Sequence, residues 1–262
     1  MTLPFSLSGQ NSQVSWAYNW FYQPCGSGAT YSGAACGFNS ALQFVPLLYS
    51  NDANGLANWP AEAKRAIAGG APALMSFNEP DVCYSGSACM TVNASVAAYK
   101  SAMQPFAGQI ALGAPAVTNA GSPSGPTYLG NFIGNCTGCQ IDFVNMHWYS
   151  NKYAGAAYFE QVVNQIRAVR DSYPATKGKP IWVTEFGLTN DGVSAADDYT
   201  DADVQAFLEQ VMPWMDQQPD IARYAYFMDS AGILANTAGT GMSTSGSIFN
   251  SFVNSTTQPN LA

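Results

Sequence analysis

The sequence predicts a single-domain α/β fold, a parallel (β/α)8 barrel spanning residues 1–262, and three observations carry that prediction. Short apolar, β-branched or aromatic runs alternate with longer helical patterns, the rhythm of parallel strands buried on both faces. No composition break, linker, heptad or internal repeat divides the chain. A content of 47% hydrophobic residues is enough to fill a large core and excludes intrinsic disorder.

Taken in order, the strand-like runs are residues 14–20, 42–49, 73–78, 110–117, 141–149, 180–186 and 221–227. Helices are expected at 60–68, 91–106, 157–173 and 201–217, the last opening with an Asp N-cap and an acidic first turn. Seven strands are clear, whereas a TIM-type barrel needs eight. The gap from 50 to 59 is the expected place for a short or degenerate third strand, in a barrel with reduced helices. A doubly wound open sheet is the alternative, but no Gly-x-Gly-x-x-Gly follows any strand to support nucleotide binding.

Charge narrows the partners. Nine Lys and Arg against 17 Asp and Glu give a net charge of −8, and only 10% of residues are charged. With five Lys and four Arg in total, the chain has no basic stripe for nucleic acid or an anionic membrane. No run approaches the ~18 apolar residues of a membrane span. Six cysteines fall into three local couples, Cys25 with Cys36, Cys83 with Cys89 and Cys136 with Cys139. Together with sequons at Asn93, Asn135 and Asn254 they lead us to expect disulfides in a secreted protein, extracellular or in a cell wall. Met1 to Gln10 lacks the features of a signal peptide, so a mature sequence restarted at Met1 is the simplest account. A monomer without cofactor or metal is expected.

Only five glutamates are present, so each can be placed. Glu62, Glu160 and Glu209 fall in helical patterns with polar neighbours and read as solvated faces. Glu79 and Glu185 instead close apolar runs, Ala-Leu-Met-Ser-Phe-Asn-Glu-Pro and Pro-Ile-Trp-Val-Thr-Glu-Phe-Gly. A carboxylate at the end of a buried strand costs several kcal/mol of desolvation unless partners compensate. The C-terminal strand ends of a parallel barrel carry its chemistry, and these two carriers stand across its mouth. Two facing carboxylates are what glycoside hydrolysis needs, one to protonate the leaving oxygen and one to attack the anomeric carbon. The alternative, rim carboxylates tied up by Arg, has only four arginines to draw on.

Ser-Phe-Asn-Glu-Pro-Asp at 76–81, Trp-Val-Thr-Glu-Phe-Gly at 182–187, Val-Ser-Trp-Ala-Tyr-Asn-Trp at 14–20 and Val-Asn-Met-His-Trp-Tyr at 144–149 stand in this order. By these motifs the chain resembles glycoside hydrolase family 128, compact clan A (β/α)8 endo-β-1,3-glucanases, over residues 14 to about 227. The resemblance implies a retaining endo-β-1,3-glucanase with β-1,3-glucan as substrate. It implies Glu79 as acid/base, Glu185 as nucleophile, and Asn78 on the sugar hydroxyl next to the anomeric carbon. Family members often carry Tyr-Ala-Trp-Phe on the last strand, where this chain has Tyr-Ala-Tyr-Phe, so Tyr226 is the expected substitute for an aromatic floor.

His147 is the only histidine, which excludes a His-rich zinc site, and no Gly-x-Ser-x-Gly elbow supports a serine triad. His147 and Tyr149 share a face and are expected to donate hydrogen bonds to substrate or to Glu185. Trp16, Tyr18, Trp20 and Tyr22 share parity, which makes Trp16, Tyr18 and Trp20, with Asn19, candidates for sugar binding. Trp59, Tyr84 and Trp148 are further aromatic candidates. Asp81 is expected to hold its loop or to act on Glu79 by like charge. The rival readings are a clan A glycosidase acting on mannan or another β-glucan, and an inactive barrel that binds wall glucan.

Overall fold

The computed structural model describes residues 12–25, 38–190 and 198–252. Strands β1 (Trp16–Ala17), β2 (Gln43–Phe44), β3 (Leu47–Leu48), β4 (Ala73–Asn78), β5 (Ala111–Val117), β6 (Phe143–Ser150), β7 (Ile181–Leu188) and β8 (Ile221–Tyr226) are ordered along the chain. Helices α1 (Ala53–Ala68), α2 (Val92–Ala98), α3 (Gly125–Asn135), α4 (Gly155–Asp171), α5 (Asp201–Asp216) and α6 (Thr244–Ser251) follow β3 through β8 in turn. All strand pairs are parallel; β3 to β8 form one six-stranded sheet in sequential order, and β1 pairs only with β2.

The expected third strand is not between residues 50 and 59, which instead turn into α1. Asp52 caps that helix, its side chain accepting from the Gly55 N–H, so the chain is helical from Ala53 and runs through Pro60. The third strand lies inside the run expected as one strand over 42–49, which Pro46 breaks in two because it has no N–H for a ladder. Val45 N–H still donates to Ala17 on one side, while the Pro46 carbonyl accepts from Met75 on the other. Eight strand segments therefore occupy seven passes of chain, β2 and β3 sharing one.

No ladder joins β8 to β1 among the described residues, so hydrogen-bonded closure of an eight-stranded barrel is not seen. Side chains span the seam. Arg223 of β8 donates to Gln43 Oε1 at 2.9 Å and lies over the rings of Trp16 and Trp182, at 5.6 and 4.9 Å. Trp16, Val45, Leu47, Ala73, Met75, Phe143 and Trp182 fill one face of the sheet, with Phe143 and Trp182 stacked at 3.9 Å. The other face packs on the helices through residues such as Leu74, Leu112, Val144 and Val183.

Other boundaries follow local chemistry. The 91–106 region is α2 capped by Thr91, then a π-turn and a 3-10 turn. Thr200, not Asp201, caps α5, in a reciprocal box with Asp203. Helices α3 and α6 were not expected; Gly125, Gly130 and Gly134 in α3, and Gly246 among short polar residues in α6, lower their intrinsic helix propensity. Glu62 is buried and ion-paired with Arg65 rather than solvated. Arg167 and Arg170 converge on Asp220, and Lys179 on Asp142, at the N-terminal ends of β8 and β6, the end of a parallel sheet that serves stability. Cys83–Cys89 and Cys136–Cys139 are disulfides. Cys36 and Asn254 lie outside the described residues. No described helix is long and apolar enough to cross a membrane.

Candidate active site

Glu79 directly follows β4 and Glu185 lies in β7, with β5 and β6 between them in the sheet. His147, from β6, joins the two. Its Nδ1 is 2.9 Å from Glu79 Oε1 and 3.5 Å from Glu185 Oε2, and its Nε2 is 3.0 Å from Thr184 Oγ1. Glu79, Glu185 and His147 are 3%, 5% and 1% exposed, so these charges have little water to solvate them. No Lys or Arg side chain pairs with either glutamate among the described residues.

Protein donors take that place. On Glu185, Trp20 Nε1 donates to Oε1 at 2.5 Å, Tyr18 O–H donates to Oε1 at 2.9 Å, and Tyr149 O–H donates to Oε2. On Glu79, Tyr84 O–H donates to Oε2 while His147 faces Oε1. Burial pushes Tyr18 and Tyr149 well above the usual phenol range, reinforced by the Glu185 charge, so both stay protonated as donors. For His147, burial opposes the charged form, but Glu185 and Glu79 outweigh it and hold its pKa above the ordinary imidazole value.

The backbone that aims these groups is irregular. Along a regular strand Thr184 and Glu185 would point to opposite faces. The β6–β7 register slips between Met146 and His147, and the β7–β8 register between Val183 and Phe186, so both side chains reach the same site. Phe77 and Glu79 have φ of 32° and 47°, and Trp20 has φ of 59°. Left-handed backbone costs a non-glycine residue on the order of 1–2 kcal/mol, strain concentrated here where the two carboxylates are aimed.

One oxygen of each glutamate and one His147 nitrogen lie within 4.8 Å of one another, close enough for an ion geometrically. An ion would have to displace the phenol and indole donors from Glu185, and the donor set fits proton chemistry better.

The other expected residues divide. Asn78 is buried with Nδ2 on the Gly86 carbonyl and Oδ1 unpartnered. Asn19 does not reach the glutamates; its amide donates to the Gln23 and Pro24 carbonyls and holds the exit of β1. Trp16 packs on Trp182 and Tyr18 inside the sheet, and Tyr22 turns into the helix-side core against Phe21, because the left-handed Trp20 breaks their parity. Tyr226 packs edge-on against Phe186, whose ring faces the helices. Phe227, one residue on, meets Trp20 and Tyr149 at 5.7 and 5.5 Å and is the aromatic neighbour of the glutamate site. Trp59 and Trp148 are fully buried. Asp81 accepts from Thr118 N–H, Thr118 Oγ1 and Gly125 N–H, which ties its loop to the start of α3. Thr184, Tyr84 and Phe227 were not singled out as partners of the glutamates. For Thr184 strand alternation argues the wrong way, and for Tyr84 only its nearness to Glu79 in the chain was a signal.

A cavity of about 600 Å³ opens along the seam of β1 and β8, from Glu185, Tyr18 and Trp20 down to Phe249 and Phe252. Carboxylates facing each other at the C-terminal ends of parallel strands, bridged by a histidine and clear of basic side chains, define a glycoside hydrolase. The family model described as glycosyl hydrolase catalytic core matches residues 3–251, and the chain belongs to that family, as a member of glycoside hydrolase family 128.

A curdlan-specific exo-β-1,3-glucanase of Blastomyces gilchristii, subgroup III of family 128, is 30% identical with a TM-score of 0.75, covering 96% of this chain and 93% of that one. A subgroup II endo-β-1,3-glucanase of Sorangium cellulosum is 25% identical, with a TM-score of 0.65 and coverage of 92% and 90%. A subgroup I endo-β-1,3-glucanase variant of Amycolatopsis mediterranei, in complex with laminarihexaose, is 26% identical with a TM-score of 0.64 and covers 89% and 88%. Alkali-sensitive linkage protein 1 of Schizosaccharomyces pombe is 29% identical over 245 residues, 90% of this chain, and the chain spans 39% of its length.

Proposed function

We propose that the protein is a secreted retaining endo-β-1,3-glucanase that hydrolyses β-1,3-glucan by double displacement. Glu185 attacks the anomeric carbon while Glu79 protonates the glycosidic oxygen. Glu79, now a base, then draws a proton from water, which releases the sugar from Glu185. The observation that carries this reading is the asymmetry of donors: three N–H and O–H groups converge on Glu185, an environment that serves an anion. His147 and Thr184 hold the pair in register, and Asn78, whose buried Oδ1 has no protein partner, is assigned by the family resemblance to the sugar hydroxyl next to the anomeric carbon. Approach of the carboxyl groups to within 4.8 Å at their nearest ligand atoms supports retention, for which the groups stand ~5–5.5 Å apart, over inversion at ~6.5–9.5 Å.

The substrate assignment draws on the β-1,3-glucanase relatives. Reducing-sugar release from laminarin, beside mannan, cellulose and pustulan, tests it: release from laminarin alone supports the reading, and release from another polymer instead replaces the substrate. An endo mode yields laminari-oligosaccharides from the first minutes. Glucose as sole product would assign the exo mode carried by the Blastomyces relative.

A further inference from the structure

Both oxygens of Glu79 are engaged, and only one of the partners can leave. On Oε1 sits His147, 1% exposed and held on its far side by Thr184. On Oε2 sits the phenol of Tyr84, which is 55% exposed and has no ring packed on it among the described residues. An acid that protonates a glycosidic oxygen must present one oxygen to the substrate, and the burial of His147 leaves Oε2 for that task.

The backbone under Tyr84 is fixed. Cys83–Cys89 closes its loop, Tyr84 N–H donates to Ser87 Oγ at 3.1 Å, Ser87 N–H returns to the Tyr84 carbonyl, and the Asn78 amide holds the Gly86 carbonyl at 3.0 Å. Rotation of the side chain is therefore the available movement.

We propose that Tyr84 is a substrate-displaced positioning residue: its phenol holds Glu79 in the free enzyme, and the sugar on the leaving-group side takes its place on Oε2 while the Tyr84 ring turns to stack on that sugar. The proposal rests on the glucanase reading above. No covalent step is added; one hydrogen bond is exchanged for another before the proton moves from Glu79 to the leaving oxygen.

pH profiles on laminarihexaose separate this from a structural role, because kcat/KM reports the free enzyme and kcat the complex. Loss of a donor to the Glu79 carboxylate in Tyr84→Phe is expected to move the alkaline limb of kcat/KM upward by about half a pH unit or more, with the kcat limb unmoved. Tyr84→Ala, which also removes the stacking face, is expected to raise KM about tenfold over Tyr84→Phe. An unmoved kcat/KM limb in Tyr84→Phe, or two limbs that move together, overturns the assignment. Wild-type protein inactive on laminarihexaose overturns the glucanase reading and the proposal with it, whereas an active wild type with an unmoved Tyr84→Phe limb overturns the proposal alone.

Discussion

His147 presents Nδ1 to Glu79 Oε1 at 2.9 Å from the middle strand of the site, with Glu185 Oε2 0.6 Å further off at 3.5 Å. One ring thus sets the spacing of the two carboxylates. His147→Gln is expected to lower kcat about 100-fold, the scale of an ångström of misplacement, with laminarihexaose affinity little changed. Initial rates and titration calorimetry check this.

The same residue gives a pH dependence to stability. Its folded pKa is raised above the ordinary value, so its contribution is fully present below about pH 6.5 and is lost as pH rises through the raised folded value. Thermal unfolding of the wild type is expected to fall in midpoint on that alkaline side, and the fall is expected to be shallower in His147→Gln.

At the opposite end of the sheet the sign reverses. Arg167, then Arg170, hold the Asp220 carboxyl down at about 2 from its ordinary 3.8. Its contribution is present above 3.8 and disappears as pH falls toward 2. Asp220→Asn leaves the buried Arg170 with Asp171 as its one charged partner, beside the Lys179 carbonyl, and is expected to cost about 2–3 kcal/mol at pH 7, read by urea unfolding, with little loss below pH 2.

Asp81 is bound to Thr118 and Gly125, not to Glu79. Asp81→Asn is expected to destabilise by about 1–3 kcal/mol while leaving the alkaline limb of the pH–rate profile in place. A shifted limb would restore a like-charge role.

Gly113 has no room for a side chain, since a Cβ there would lie 2.5 Å from the Phe143 ring. Gly113→Ala is expected to cost about 1–3 kcal/mol by overpacking, measured by calorimetric unfolding.

The glutamate pair was legible because a chain with five glutamates places just two of them at the ends of apolar runs. His147 and Tyr149 followed from strand parity. Parity then failed where the backbone left its regular path: at Trp20, which sends Tyr22 into the core, and at the slips around Thr184, which bring a residue of opposite parity to His147. Tyr226, expected from the resemblance, lines the cavity that Glu185 borders, and Phe227, one residue on, meets Trp20 and Tyr149. Pro46 misled differently. Apolar content over 42–49 reads as one strand, but a missing N–H divides it and supplies the third strand sought just beyond it, over 50–59. Tyr84 was obscured because an exposed tyrosine has no periodic signature, and its partnership with Glu79 depends on a disulfide-closed loop.

The central claim is that Glu185 attacks and Glu79 serves as acid and then base. The most direct measurement is the anomeric configuration of the first reducing ends released from laminarin, followed by proton NMR before mutarotation. The account predicts the β-anomer first, with the α-anomer appearing only later; α-anomer first would mean a single displacement by water and would contradict it.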